Sequence, residues 1–111
     1  KSLDPDLVYQ AIKNKAVNVI MAFSTDGRIA AYNLVVLKDD RHLYPSYYAA
    51  PLVREAILKT HPKIATTLQA LSGLINTKTM QHLNYEVNVE KQTPAEVAHK
   101  FLVKNKLLYI L

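Results

Sequence analysis

The chain has 111 residues, half of them hydrophobic, with 14 Lys and Arg against 9 Asp and Glu for a formal charge of +5, and it has no cysteine. That length suits one domain with a modest core, and the lack of cysteine removes disulfides, thiol nucleophiles and thiolate metal sites. The basic residues are scattered among acids and apolar positions, as on a solvated face, so the charge does not argue for nucleic acid, and no apolar stretch reaches the ~18 residues that cross a bilayer.

The start, KSLDPDLVYQ, has neither an initiator Met nor an apolar signal core and reads as a mature or trimmed piece. Asp4 followed by Pro5 pairs an N-cap with a proline at the first helical position. Leu7, Val8, Ala11 and Ile12 then recur at helical spacing, which predicts a short helix over Asp4 to Lys15. Val17 to Phe23 (VNVIMAF) is a brief, nearly continuous apolar run of the kind found in a buried strand. It ends in STDGR, where Asp26 and Gly27 are turn formers. Ile29 to Leu37 (IAAYNLVVL) predicts a second strand, closed by Lys38, Asp39 and Asp40. Leu43 to Pro51, LYPSYYAAP, then concentrates three tyrosines and two prolines in nine residues. Within it Tyr47 to Val53 reads as a third strand, at a sheet edge or lobe boundary because Pro51 lacks an N–H.

After Arg54 the pattern turns helical. Glu55 to His61 is a short turn of helix stopped by Pro62, and Pro62 to Leu71 puts Ile64, Leu68 and Leu71 on one face before Gly73 ends it. Asn76 caps a further helix in which Met80, Leu83 and Val87 align, and Thr93, Pro94 and Glu96 make a capping box that opens a last helix with Val97, Phe101 and Leu102 facing inward. Three apolar strands want cover on both faces, yet the helices come almost entirely after them. The expectation is that packing partners are missing on the N-terminal side. The composition shift near Tyr44 to Ser46 marks a crossing between two packing units.

Catalytic chemistry is excluded step by step. Two glycines leave no phosphate-cradling loop. His82 and Glu86 have metal-like spacing on a helix face but no third ligand, and Ser24 with Asp26 lacks the strand-turn-helix context of a nucleophile. No metal site, cofactor or enzyme activity is expected. Clustered tyrosine suits a different task. A quaternary ammonium group has no N–H to donate, so it is held by aromatic faces through cation–π attraction of about 0.5 to 2 kcal/mol per desolvated ring.

AFSTDGRI (Ala22 to Ile29), LVVLKDDRHLYPSYYAAPLVRE (Leu34 to Glu55) and LNYEVNVEKQTPAEVAHKFL (Leu83 to Leu102) resemble the C-terminal half of the substrate-binding proteins of bacterial osmoprotectant ABC importers, the glycine betaine, carnitine and choline binders. The resemblance runs from about Pro5 onward. It implies an α/β, type II periplasmic-binding-protein fold, of which this chain holds the end of the second lobe (1–44), a hinge near Pro45 and the C-terminal part of the first lobe (45–111). It also implies an aromatic cage for the trimethylammonium group, with one family tyrosine falling on Phe23 and another on Tyr47. Phe23 departs from the family pattern by keeping the π face without the hydroxyl. The groups that bind the ligand carboxylate fall upstream of Lys1.

The partners so implied are a small quaternary-ammonium ligand and a permease subunit or fused permease domain, with a second copy of the chain as a further candidate. The location implied is periplasmic or extracytoplasmic, on the membrane through the transporter. A sensor domain with the same binding fold, and less favourably an enzyme acting on a small amine, are the alternatives.

Overall fold

The structure, a computed structural model, describes residues 4–45 and 48–108. Six helices follow in order among them: α1 (Pro5–Lys13), α2 (Arg28–Ala31), α3 (Glu55–Thr60), α4 (Lys63–Gln69), α5 (Thr77–Asn88) and α6 (Pro94–Lys104). They fall into two compact units, Lys1–Val36 with Thr77–Leu111, and Leu37–Asn76. In the first unit α2 packs on α5 and α5 on α6; in the second α3 packs on α4.

The helix ends follow their sequence signals. Asp4 caps α1 by accepting the Asp6 N–H at 2.8 Å, with an acid in the first turn and Lys13 in the last, both favourable to the helix dipole. Thr93 and Glu96 close the expected capping box at α6: the Thr93 hydroxyl accepts the Glu96 N–H at 3.3 Å, and the Glu96 carboxylate accepts the Thr93 N–H at 2.8 Å. With so few glycines the chain turns out of several helices through other residues in the left-handed region. Lys15 (φ 58°), Asn33 (φ 52°) and Lys106 (φ 59°) do so. The next N–H then bonds back to the helix, Ala16 to Ala11, Leu34 to Ile29 and Leu107 to Leu102, each at 2.9 Å. Each such non-glycine closure costs about 1 kcal/mol.

The second unit keeps the expected stripe: Ile64, Leu68 and Leu71 are half-buried while most of their neighbours on α4 are exposed. Among the described residues of the first unit the buried apolar ones are Tyr9, Ile29 and Val97. Val97 is the inward residue expected on α6, and Phe101 and Leu102 lie half-buried beside it.

The strands expected at Val17 to Phe23, Ile29 to Leu37 and Tyr47 to Val53 do not form among the described residues. A strand exists through its ladder, and these apolar segments have no paired neighbour here. Val19, Met21 and Phe23 accordingly stay 70 to 75% exposed, at alternate positions of an irregular segment. The second run errs for another reason. Asp26 accepts the Arg28 N–H at 2.9 Å and so starts a helical turn at Arg28, which the alanine pair continues.

Gly27 marks where α2 meets α5. Its φ of −64° is ordinary, yet a Cβ on it would lie 2.7 Å from the Asn84 carbonyl carbon and closer still to the Tyr85 backbone. Gly73 is the opposite case, in open space with φ +76°. Gly27→Ala is expected to destabilise by about 1 to 3 kcal/mol through overpacking against helix backbone. Gly73→Ala should lose only the ~1 kcal/mol of left-handed strain. Urea unfolding midpoints of the two variants test this ranking, and equal losses would show that the α2–α5 approach tolerates a methyl group.

Candidate functional site

Phe23 stands at the head of the STDGR turn, and three parts of the first unit hold that turn. The turn closes on itself: the Asp26 N–H donates to the Phe23 carbonyl at 3.0 Å. Arg28 grips Asp26 with a two-pronged fork, Nε to Oδ1 at 3.0 Å and Nη2 to Oδ2 at 2.8 Å, the geometry in which a planar guanidinium meets a carboxylate best. From α1, Asp6 accepts the remaining prong at Nη1, and the Tyr9 ring lies under the guanidinium at 3.9 Å. Tyr32 tilts against Tyr9 at 6.3 Å, with the Lys13 ammonium 5.3 Å over its own ring. From α5, the Gln81 amide donates to the Ser24 carbonyl and the Asn84 amide to the Thr25 carbonyl, the latter at 2.8 Å.

Burial shapes the charges in this cluster. Arg28 and Asp26 expose only 19% and 15% of their side chains, whereas Asp6 is open to solvent. Burial pushes the Asp26 carboxyl up, but the hydrogen bonds from the Arg28 side chain and backbone and its positive charge together outweigh that and hold it below the usual carboxylate value. The Arg28 guanidinium is raised above its ordinary value, chiefly by the bonds to Asp26. Tyr9, pushed up to about 12 by burial and then by the neighbouring Asp26 charge, stays a neutral phenol. Its buried hydroxyl lies by the Asp26 carboxylate without meeting the geometry of a hydrogen bond.

Of the two expected ligand-binding residues, Phe23 is 75% exposed on this pinned turn. Tyr47 lies outside the described residues. Its neighbours in the second unit, Tyr44 and Tyr48, are 58% and 89% exposed. Ahead of them Asp39 ties a loop by accepting the Leu43 N–H at 3.1 Å and the Tyr44 N–H at 3.0 Å, bonds that hold its carboxyl below the ordinary value. The His82–Glu86 pair forms at 3.3 Å on α5, with His82 exposed and the Glu86 side chain largely covered. It borders an open hollow of about 370 Å³ lined by Ala30, Lys78, Gln81, His82 and Tyr85. A lysine in the lining repels a cation and only one tyrosine faces it, so this hollow does not suit a quaternary ammonium group. The meeting of Tyr9, Asp26 and Arg28 was not expected from the sequence. The available signal was Asp6 and Tyr9 three residues apart on one helix face.

Asp26 makes the cluster acid-sensitive. Its folded-state pKa lies below the model-peptide value of 3.8, so its stabilisation is present above that value and is lost as pH falls through the folded pKa. Thermal unfolding between about pH 5 and pH 2 should show wild type losing stability below about pH 4. Asp26→Asn, weaker at neutral pH, should lose less over the same range. Parallel acid limbs would show that the fork does not stabilise the fold.

Residues 1–104 match the family described as the substrate binding domain of ABC-type glycine betaine transport systems. The chain is 48% identical over 99 residues to the carnitine transport binding protein OpuCC of Listeria monocytogenes, covering 89% of this chain and 32% of that protein. It is 42% identical over 108 residues to a glycine-betaine-binding protein of Pseudomonas aeruginosa, covering 97% of this chain and 35% of that one. A crystal structure of a glycine betaine/carnitine/choline ABC transporter protein superposes with a TM-score of 0.84 at 44% identity, over 92% of this chain and 38% of the other. The backbone path is thus shared even where no ladder closes. The chain spans about a third of the length of these relatives, less than the half that the resemblance implied. With a match that runs over nearly its whole length, the chain belongs to the substrate-binding domains of ABC-type glycine betaine transport systems.

Proposed function

We propose that this chain is the C-terminal part of an extracytoplasmic receptor that captures a quaternary-ammonium osmoprotectant of the glycine betaine, carnitine or choline class and hands it to an ABC importer. The observation that carries the reading is the family match over residues 1–104; the exposure of Phe23, onto which the resemblance puts a cage aromatic, agrees with it. The complete receptor has the two-lobed type II fold, the chain up to residue 44 belonging to the second lobe and crossing into the first near Pro45, and α5, which carries α6, returning to pack on α2. Phe23 and Tyr47 supply faces of the cage.

The mechanism is capture without bond making. The ligand enters the cleft, the lobes rotate about the hinge near Pro45, and the closed form docks on a permease subunit or fused permease domain. Each ring contributes about 0.5 to 2 kcal/mol once water is excluded, so two rings distinguish a trimethylammonium group from water by roughly one to three orders of magnitude in affinity. Loss of one ring leaves the fold intact, because Phe23 packs little of its surface.

Since the chain contains no tryptophan, its intrinsic fluorescence comes from its seven tyrosines. Titration of the complete two-lobed protein with glycine betaine and with choline should therefore give saturable changes in tyrosine emission if tryptophan is also missing upstream, and calorimetry reads the same binding otherwise. Tyr47→Ala and Phe23→Ala are each expected to weaken binding about tenfold or more while leaving the unfolding midpoint in place. Absence of saturable binding by any trimethylammonium ligand, or unchanged affinity in both variants, would sink the reading.

A further inference from the structure

Phe23 presents an open ring with little side-chain packing to hold it. The direction in which it projects is therefore set by the backbone that carries it. That backbone is the Ser24–Gly27 turn, and the bond from the Asp26 N–H to the Phe23 carbonyl couples the ring's own peptide to Asp26. Asp26 in turn is held by both prongs of the Arg28 fork. Arg28 is fixed from beyond by Asp6 and by the Tyr9 ring. The chain of contacts runs without a gap from α1 through Arg28 and Asp26 to Phe23.

Stability alone explains this cluster poorly. A largely buried ion pair contributes little net stability over well-packed apolar residues of the same volume, because removing both charges from water offsets most of their attraction. What a planar fork supplies that apolar packing does not is direction: two parallel bonds fix the plane of the Asp26 carboxylate, and with it the turn. From this we infer that Arg28 is a positioning residue of the ligand site, setting through the Asp26 turn the place and direction from which the Phe23 ring projects. The inference rests on the proposed osmoprotectant site and names the element that orients one of its faces.

The test is a double-mutant cycle in the complete two-lobed protein, read as the Kd for glycine betaine by calorimetry. Arg28→Lys keeps the charge and removes the fork; Phe23→Leu keeps bulk and removes the π face. Each is expected to raise Kd about tenfold, and the double variant to stand close to the weaker single one, because a misplaced ring and a missing ring forfeit the same contact. Unfolding midpoints of the same four proteins should shift additively, so the non-additivity is confined to binding. If the two single effects multiply to about a hundredfold in the double variant, Arg28 acts on stability or elsewhere and the positioning role is overturned. Full affinity in Arg28→Lys overturns it equally. Should Arg28→Lys fail to fold, Asp26→Asn, which weakens the fork at its other end, takes its place in the cycle. A wild-type protein that binds no trimethylammonium ligand would instead remove the receptor reading itself, and this inference with it.

Discussion

The first unit is organised around one guanidinium. Arg28 has the Tyr9 ring against its guanidinium and the Asp26 carboxylate on its fork, with Asp6 taking the remaining Nη1, and these contacts tie α1 to α2 across 22 residues of sequence. Neither helix could stand unaided. α1 has 9 residues and α2 only 4, well short of the ~12 to 15 at which an isolated helix becomes even marginal in water. Their persistence depends on tertiary contact, and the apolar share of that contact is thin, since Tyr9 and Ile29 are the buried apolar residues these two helices supply. A directional polar cluster fixes how these short helices meet, which so thin an apolar contact leaves open.

α5 is the platform on which this cluster rests. It meets the turn with backbone at Gly27, where the lack of a side chain lets the two main chains approach, and with amides at Gln81 and Asn84, which satisfy the carbonyls of Ser24 and Thr25. Backbone carbonyls in a tight turn need partners when water is thinned out around them. Supplying these from a twelve-residue helix that is itself packed on α6 transmits rigidity from the C-terminal helices to the turn. The second unit uses the same device on a smaller scale, with the Asp39 carboxylate gathering the amides of Leu43 and Tyr44 ahead of the tyrosine-rich segment.

What could be read from sequence was whatever is decided locally. The Asp4–Pro5 start of α1, the Thr93 capping box and the apolar stripe of α4 depend on residues within one or two turns, and they stand where the sequence places them. Strands depend on a neighbour that sequence pattern does not supply, so Val17 to Phe23 carries a strand's composition without a strand's ladder. The IAAY segment was expected as the start of a strand, and the side-chain bond from Asp26 to the Arg28 N–H starts a helical turn there instead. Phe23 was reached through family resemblance, while the cluster behind it was not, because the i, i+3 spacing of Asp6 and Tyr9 on α1 does not say that Arg28, 22 residues beyond Asp6, meets them.

The absence of a hydroxyl at Phe23 gives that cluster its purpose. A cage tyrosine carries its own handle: the phenol can bond at the pocket rim and hold the ring at a fixed tilt. A phenylalanine has no such anchor, and an exposed ring on a loose turn would sample many orientations, each with the π face turned away from the cation for part of the time. Cation–π attraction needs the charge over the face of the ring, so freedom of tilt translates directly into lost affinity. Restricting the backbone beneath the ring is the remaining way to recover it. The Asp26–Arg28 fork, backed by Tyr9 and braced by α5, restricts the backbone at that position.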